Sequence, residues 1–339
     1  MAARRSLIPP VLIALLLAAC TPGGQPSPSP AASAPPASPQ PSAAPSPTLA
    51  PSFPVTLTDD EGTEVTIAAE PQKIVSLTPA TTEILFTIGA GDRVVAKVED
   101  VASFPPETVG IPDVATFNGV DVERIVDLEA DLVISAGTGL TQGDAVEQLR
   151  RAEVPVLVIY PTTVDGALAG IRLIGQATGF TDTAEALAIG MEQRIDELER
   201  LAATATAKPR VFYEIDVTGG IFTPPADSIY GEMFRLAGAE PISGNASYSI
   251  SLEELVAADP EVILLGDAAY GVTAESVGER PGWKGMTAVK DGAIYPIDDI
   301  LVTRPGPRLV DGLEALIRAI HPELADDLST GFIGLPAAA

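Results

Sequence analysis

The chain has 339 residues, with 46 acidic side chains against 20 Lys and Arg and a formal net charge of −26. That acid excess argues against nucleic acid, and against broad attraction to anionic lipid, as partners. With one cysteine, Cys20, and one histidine, His321, just before Pro322, a disulfide framework, a His-based zinc receptor and a Ser-His-Asp hydrolase are all set aside.

In chain order, Met1-Ala-Ala-Arg4-Arg5 and the apolar run Leu7 to Ala19 read as an export signal over residues 1–20. A bilayer-spanning helix needs about 20 apolar residues; this run is shorter and carries Pro9-Pro10, which weakens a retained anchor. Leu17-Ala18-Ala19-Cys20 resembles the lipobox of bacterial lipoproteins. The resemblance implies that Cys20 is diacylated, which supplies the two chains stable anchoring requires; a freely secreted protein is the alternative. Residues 21–54 are expected to be a disordered tether. Thr21 to Ser52 has no charge, and Pro22 to Pro54 holds 12 of the chain's 32 prolines, a composition unable to build a core. Extended at about 3.1 Å per residue it reaches up to roughly 100 Å; an O-glycosylated stalk fits the same segment.

Beyond it, short β-branched runs alternate with helical patterns, the signature of βα units and mostly parallel sheets. Strands are predicted at Lys73–Leu77, Val94–Val98, Leu132–Ser135 and Val156–Tyr160, then at Arg210–Ile215, Val262–Leu265 and Ala293–Ile297. Between the groups, Ala184, Leu187, Ala188, Met191, Ile195, Leu198 and Ala202 keep steps of three and four, predicting a helix over 182–205 with Asp182 and Glu185 as its N-cap pair. The expected fold is α/β. Two lobes (55–163 and 208–325), each with a mostly parallel sheet flanked by helices, are joined by a helical connector (164–207), with a ligand cleft between them and a tail over 326–339.

An internal repeat supports two lobes. Val122 to Ile134 aligns without gaps on Leu252 to Leu264, 130 residues later. Each copy predicts a short helix, an acidic turn and a buried strand, with one glutamate, Glu123 or Glu253, in the first helical turn. Acid there is favourable on macrodipole grounds alone, but the equivalence across lobes suggests a shared role.

Glu70 to Val95, Asn118 to Val126, Asp131 to Ile134, Gly282 to Tyr295 and Arg304-Pro-Gly-Pro-Arg308 resemble, in order, the substrate-binding proteins of ABC importers for iron-siderophore, haem and cobalamin. The likeness spans roughly residues 55–323. It implies two α/β lobes joined by one long helix, limited hinge movement and a monomer outside the cytoplasmic membrane, held there by its lipid anchor only. The implied partners are a permease dimer with separate ATPase subunits and a small-molecule metal chelate or corrinoid. Glu123 and Glu253 fall where the family docks on permease arginines. No enzymatic step, resident cofactor or bound metal is implied.

Ligands of open α/β sheets sit beyond the carboxyl ends of the strands. Thr78, a helix N-cap ahead of Pro79, gathers there with the hydroxyls of Thr81 and Thr82, for capping or for ligand. Phe117 and Asn118 match a stretch where cobalamin-binding relatives carry a cleft aromatic. Gly137 and Thr138 follow a buried strand, without the tryptophan cobalamin binders carry nearby. Tyr213, Glu214, Tyr248 and Arg304 complete the candidates; each suits ligand or packing. The guanidinium fits carboxylate or catecholate oxygens, and the phenols fit a planar ligand or haem iron. That order puts a ferric siderophore first, then cobalamin, then haem. A tethered sensor or enzyme on the same scaffold is the rival, although neither a dinucleotide fingerprint nor a Walker loop is present and Trp283 reads as structural.

Overall fold

The computed structural model describes residues 53–116, 118–137, 143–244 and 247–328. The signal, Cys20, the tether through Ser52, Phe117 and Thr138 lie outside the described residues.

The first half opens with a hairpin, β1 (Val55–Thr58) and β2 (Glu64–Ile67). It continues through β3 (Ile74–Ser76), α1 (Pro79–Thr87), β4 (Val94–Val98), β5 (Asp113–Thr116), β6 (Gly119–Val120) and α2 (Val122–Asp127). β7 (Leu132–Ser135), α3 (Gly143–Arg151) and β8 (Val156–Val158) complete it. Its six-stranded sheet has the order β6-β5-β4-β3-β7-β8, parallel except for β6. Then come α4 (Val164–Thr178) and α5 (Thr181–Ala202).

The second half runs β9 (Arg210–Glu214), β10 (Ile221–Phe222), α6 (Ile229–Leu236), β11 (Glu240–Pro241), β12 (Ser249–Ile250), α7 (Leu252–Ala258) and β13 (Val262–Leu265). It ends with α8 (Ala274–Gly278), α9 (Thr287–Asp291), β14 (Ile294–Pro296), α10 (Asp299–Thr303) and α11 (Leu309–Ile320). Its four-stranded sheet, β11-β9-β13-β14, is wholly parallel. No helix among the described residues is long and apolar enough to cross a membrane.

Alternation along the strands feeds three cores. Val75 and Val133 pack with α2 and α3 on one face of the first sheet. Phe212, Ile263 and Leu265 pack with Trp283 on one face of the second. Ile74, Ile134, Tyr213 and Leu264 face the other way, into a core that continues through α4, α5 and α11 and so runs through both halves. Leu328 is buried in it too.

All seven apolar positions anticipated for the long helix are buried, and 22 residues at 1.5 Å each span about 33 Å. One end touches the first half, where Thr183 Oγ1 donates to the Ile88 carbonyl at 2.8 Å. The other lies against the second, where a Cβ on Gly238 would come within 3.2 Å of the Ala202 carbonyl. The helix start differs from expectation. Its N-cap is Phe180, without a side-chain cap, and Asp182 sits exposed in the first turn. Glu185 pairs instead with Arg172 at 2.8 Å. Close packing decides this: a Cβ on Gly175 would lie 2.3 Å from that of Ala184, so α5 must begin directly after the left-handed Gly179 that closes α4.

The repeat is reproduced residue for residue. Asp121 and Ser251 cap α2 and α7, Glu129 and Asp259 both take left-handed backbone, and β7 and β13 follow. Lys73 Nζ donates to the Leu128 carbonyl at 3.1 Å, and Arg210 Nε to that of Ala258 at 3.0 Å, so a cation closes each helix where the macrodipole favours it. Asp131 and Glu261 accept the backbone N–H of Lys73 and Arg210 respectively.

Candidate functional site

Between the halves lies a cavity of ≈ 210 Å³. The first half lines it with the start of α1, with Ala136 beyond β7 and with Ile159, Tyr160 and Pro161 beyond β8; the second contributes Thr303, Arg304 and Pro305. The carboxyl-end rule thus locates this wall. Thr78 faces the cavity while capping α1, accepting the Thr81 N–H at 3.1 Å. Thr81 also lines the cavity, its hydroxyl hydrogen-bonded to Thr78 and Ser76, whereas the Thr82 hydroxyl, expected at the mouth too, is buried against Ser76.

Arg304 lines the cavity without offering a free charge. Its Nη2 donates to Asp100 Oδ1 at 2.6 Å, and its Nη1 to Asp100 Oδ2 at 3.1 Å and Glu83 Oε1 at 3.2 Å. Arg308 grips the same Glu83 at 2.9 and 2.5 Å and lies over the Phe104 ring at 3.9 Å. Glu83 is 1% exposed. Burial acts to raise the Asp100 pKa, but Arg304 and the N–H groups of Ala102 and Phe104 outweigh it and leave the carboxyl below its ordinary range. Burial likewise opposes the charge on Arg304, and Asp100 and Glu83 overcome it. Two arginines of the second half are therefore tied to two carboxylates of the first.

Two second-half candidates are structural. Tyr213 is buried, and its OH donates to Asp299 Oδ1 at 2.7 Å; burial, then that carboxylate, drives its pKa upward. Glu214 is buried in a bidentate pair with Arg280 at 2.5 and 2.9 Å, and Arg280 stacks over Trp283. Both stand at the end of β9, but they turn toward partners 66 or more residues away, which a strand pattern does not register. Gly137, at φ +99°, is buried, and a Cβ there would lie 2.8 Å from Glu61 Oε1 and 2.9 Å from Val158 Cγ1. Its freedom serves that close packing. Asn118 is exposed in the turn between β5 and β6, its N–H donating to Thr116 Oγ1.

Tyr248 stays accessible at 52%, and Tyr160, across the cleft, at 47%. Burial raises the Tyr230 pKa, and the nearness of Tyr248, Asp299 and Tyr160 raises it further; Tyr248 is raised by burial and then by Tyr160. Tyr160 thus lines the cavity, Tyr230 donates to the carbonyl of Thr303 in its wall at 3.4 Å, and Tyr248 lies near both. Elsewhere, Glu123 and Glu253 are exposed at matching positions of α2 and α7.

Residues 74–301 match the family model described as periplasmic binding protein. The chain belongs to that family. This binding protein is 33% identical over 277 residues to the uncharacterized ABC transporter substrate-binding lipoprotein YvrC of Bacillus subtilis, covering 80% of this chain and 87% of the relative. It is 28% identical to the vitamin B12-binding protein of Pectobacterium atrosepticum, covering 71% and 86%. Among solved structures, the periplasmic heme-binding protein RhuT of Roseiflexus sp. RS-1 superposes with a TM-score of 0.64 at 27% identity, covering 74% of this chain and 99% of that one.

Sequence reasoning missed Tyr160, Tyr230, Glu83, Asp100 and Arg308 in this binding protein. Tyr160 carried a usable signal, as the last residue of a predicted parallel strand. Arg308 lay inside the motif that drew attention to Arg304. Glu83, on a helix with no polar face pattern, carried none.

Proposed function

We propose that this chain is an extracytoplasmic receptor, lipid-anchored through Cys20, that captures a corrinoid between lobes 55–163 and 208–325 and delivers it to an ABC permease. The connector over 164–207 holds the lobes. What carries the ligand choice is the cleft wall: Pro79, Ala80, Ile84, Ala136, Ile159, Pro161 and Pro305 are apolar, and its one guanidinium is already met by carboxylates. An anionic ferric chelate wants free cations, whereas a corrinoid, whose ring is fringed by uncharged amides, needs none and offers ring surface to apolar and aromatic side chains. The names of the vitamin B12-binding relatives point the same way.

The three tyrosines favour haem as the second reading, since a phenolate ligates haem iron. Calorimetry of the purified protein against cyanocobalamin, haemin and a ferric catecholate siderophore tests the choice. Tight binding of cyanocobalamin is expected; tight binding of either of the others alone reassigns the ligand.

Glu123 and Glu253 are the proposed contacts to basic residues on the two halves of a permease dimer. Reversing both to Arg should abolish uptake and leave ligand affinity intact. Unchanged uptake would favour a tethered sensor or enzyme on this scaffold.

A further inference from the structure

The hairpin of β1 and β2 lies ahead of residues 74–301, the stretch that matches the family model, so that match does not account for it. Its side chains Leu57, Val65 and Ile67 are buried in the core that runs through both halves, and its tip, Asp59 to Glu61, is laid along β8. That strand is the outermost of the first sheet, and an edge strand leaves a row of N–H and C=O groups to be met. The tip meets them. The Val158 N–H donates to Asp59 Oδ2 at 3.3 Å, the Asp60 N–H donates to the Val158 carbonyl at 3.1 Å, and the Tyr160 N–H donates to Asp60 Oδ2 at 2.6 Å. Asp59 is buried, and Arg150 with the N–H groups of Glu61 and Thr63 fixes it. Glu61 stands against Gly137, next to Ala136 of the cavity wall.

Covering the strand would take only the two bonds to Val158. The third reaches beyond the end of β8 to Tyr160, which lines the cavity with Ile159 and Pro161. The Tyr160 hydroxyl has no hydrogen bond among the described residues, so no polar contact of its own holds the ring in place. We propose that Asp60 is a positioning residue of the ligand cleft: by gripping the Tyr160 backbone it holds that ring where it stacks on the bound corrinoid. The inference rests on the receptor reading and adds a piece of cleft wall supplied by chain outside the family match. A hydrogen bond to a carboxylate is stronger than a neutral one, and a ring held in advance loses less freedom when ligand arrives.

The test compares the purified full chain with Asp60→Ala, Asp60→Asn, Tyr160→Ala and the double variant Asp60→Ala with Tyr160→Ala. Calorimetry should find cyanocobalamin affinity about threefold weaker in Asp60→Ala and near wild type in Asp60→Asn, whose amide oxygen still accepts the Tyr160 N–H. Added to Tyr160→Ala, Asp60→Ala should cost no further affinity, since it acts through that ring. In the absence of ligand, the Tyr160 amide should exchange its hydrogen about tenfold faster in Asp60→Ala than in wild type. An equal affinity loss with and without the Tyr160 ring, or a loss in Asp60→Asn as large as in Asp60→Ala, overturns the positioning role, and so does unchanged amide exchange. Wild-type protein that fails to bind cyanocobalamin overturns the corrinoid reading instead, and the grip of Asp60 on Tyr160 then stands or falls on the exchange of that amide.

Discussion

Glu83 on α1 and Arg304 beyond α10 meet at 3.2 Å across 221 residues of sequence, and Arg308 closes on the same carboxylate. Glu83→Gln keeps the shape but leaves two guanidinium groups short of a counter-charge in a buried setting. Losing one partner of a buried pair costs about 3–5 kcal/mol, and Asp100 offsets part of that here. Urea unfolding should show a loss of roughly 2–3 kcal/mol; a loss within error would mean that water already satisfies the arginines.

Asp267 follows β13, is 5% exposed, and its Oδ1 has no hydrogen-bond donor among the described residues. Burial, then the Glu214 carboxylate, pushes its pKa up to about 7. Because the folded value lies above the unfolded one, this carboxyl's contribution to stability is greatest below about pH 4 and is lost as pH rises toward 7. Asp267→Asn should flatten that fall and raise stability at pH 8, on the order of 2 kcal/mol. Thermal melts of both proteins from pH 4 to 8 give the slopes directly, and parallel curves would rule out this residue as their origin.

Tyr160 lines the cavity from the first half, and Tyr248 of the second half stands exposed near it. Replacing either by Ala removes a ring able to stack on a macrocycle, a contact of about 0.5–1.5 kcal/mol, so cyanocobalamin affinity should weaken about three- to tenfold for each. Tyr213→Phe, by contrast, strips a buried hydrogen bond to Asp299 and should lower the melting temperature while leaving affinity near wild type. Calorimetry and melting curves on the three variants separate the roles.

Cys20→Ser removes the proposed acylation point. Fractionation should then find the protein in the soluble extracytoplasmic pool, and undiminished membrane retention would defeat the lipobox reading.

The strands named from sequence recur because each is an apolar run between turn residues, and the long helix recurs because its apolar positions keep one face. The repeat was legible for the same reason, since local pattern dictates helix, turn and strand in both copies. The short strands β6, β10, β11 and β12 were not. At two residues each they hold too little sequence to display a period, and neighbouring chain sets their pairing. In the cleft, the types of residue were legible but their partners were not. Arg304, Glu214 and Tyr213 look available until tertiary contacts supply Asp100, Arg280 and Asp299, each from a distant stretch of chain.

The bracing of one half to the other by α5, the continuous core beneath it and the Glu83 cluster has a mechanical corollary. Springing wide open would mean breaking charge pairs and peeling apart hydrocarbon at once, so cargo would escape unaided only slowly. On the proposed reading, unloading then falls to the permease, and a laden receptor adrift from it should release its ligand slowly.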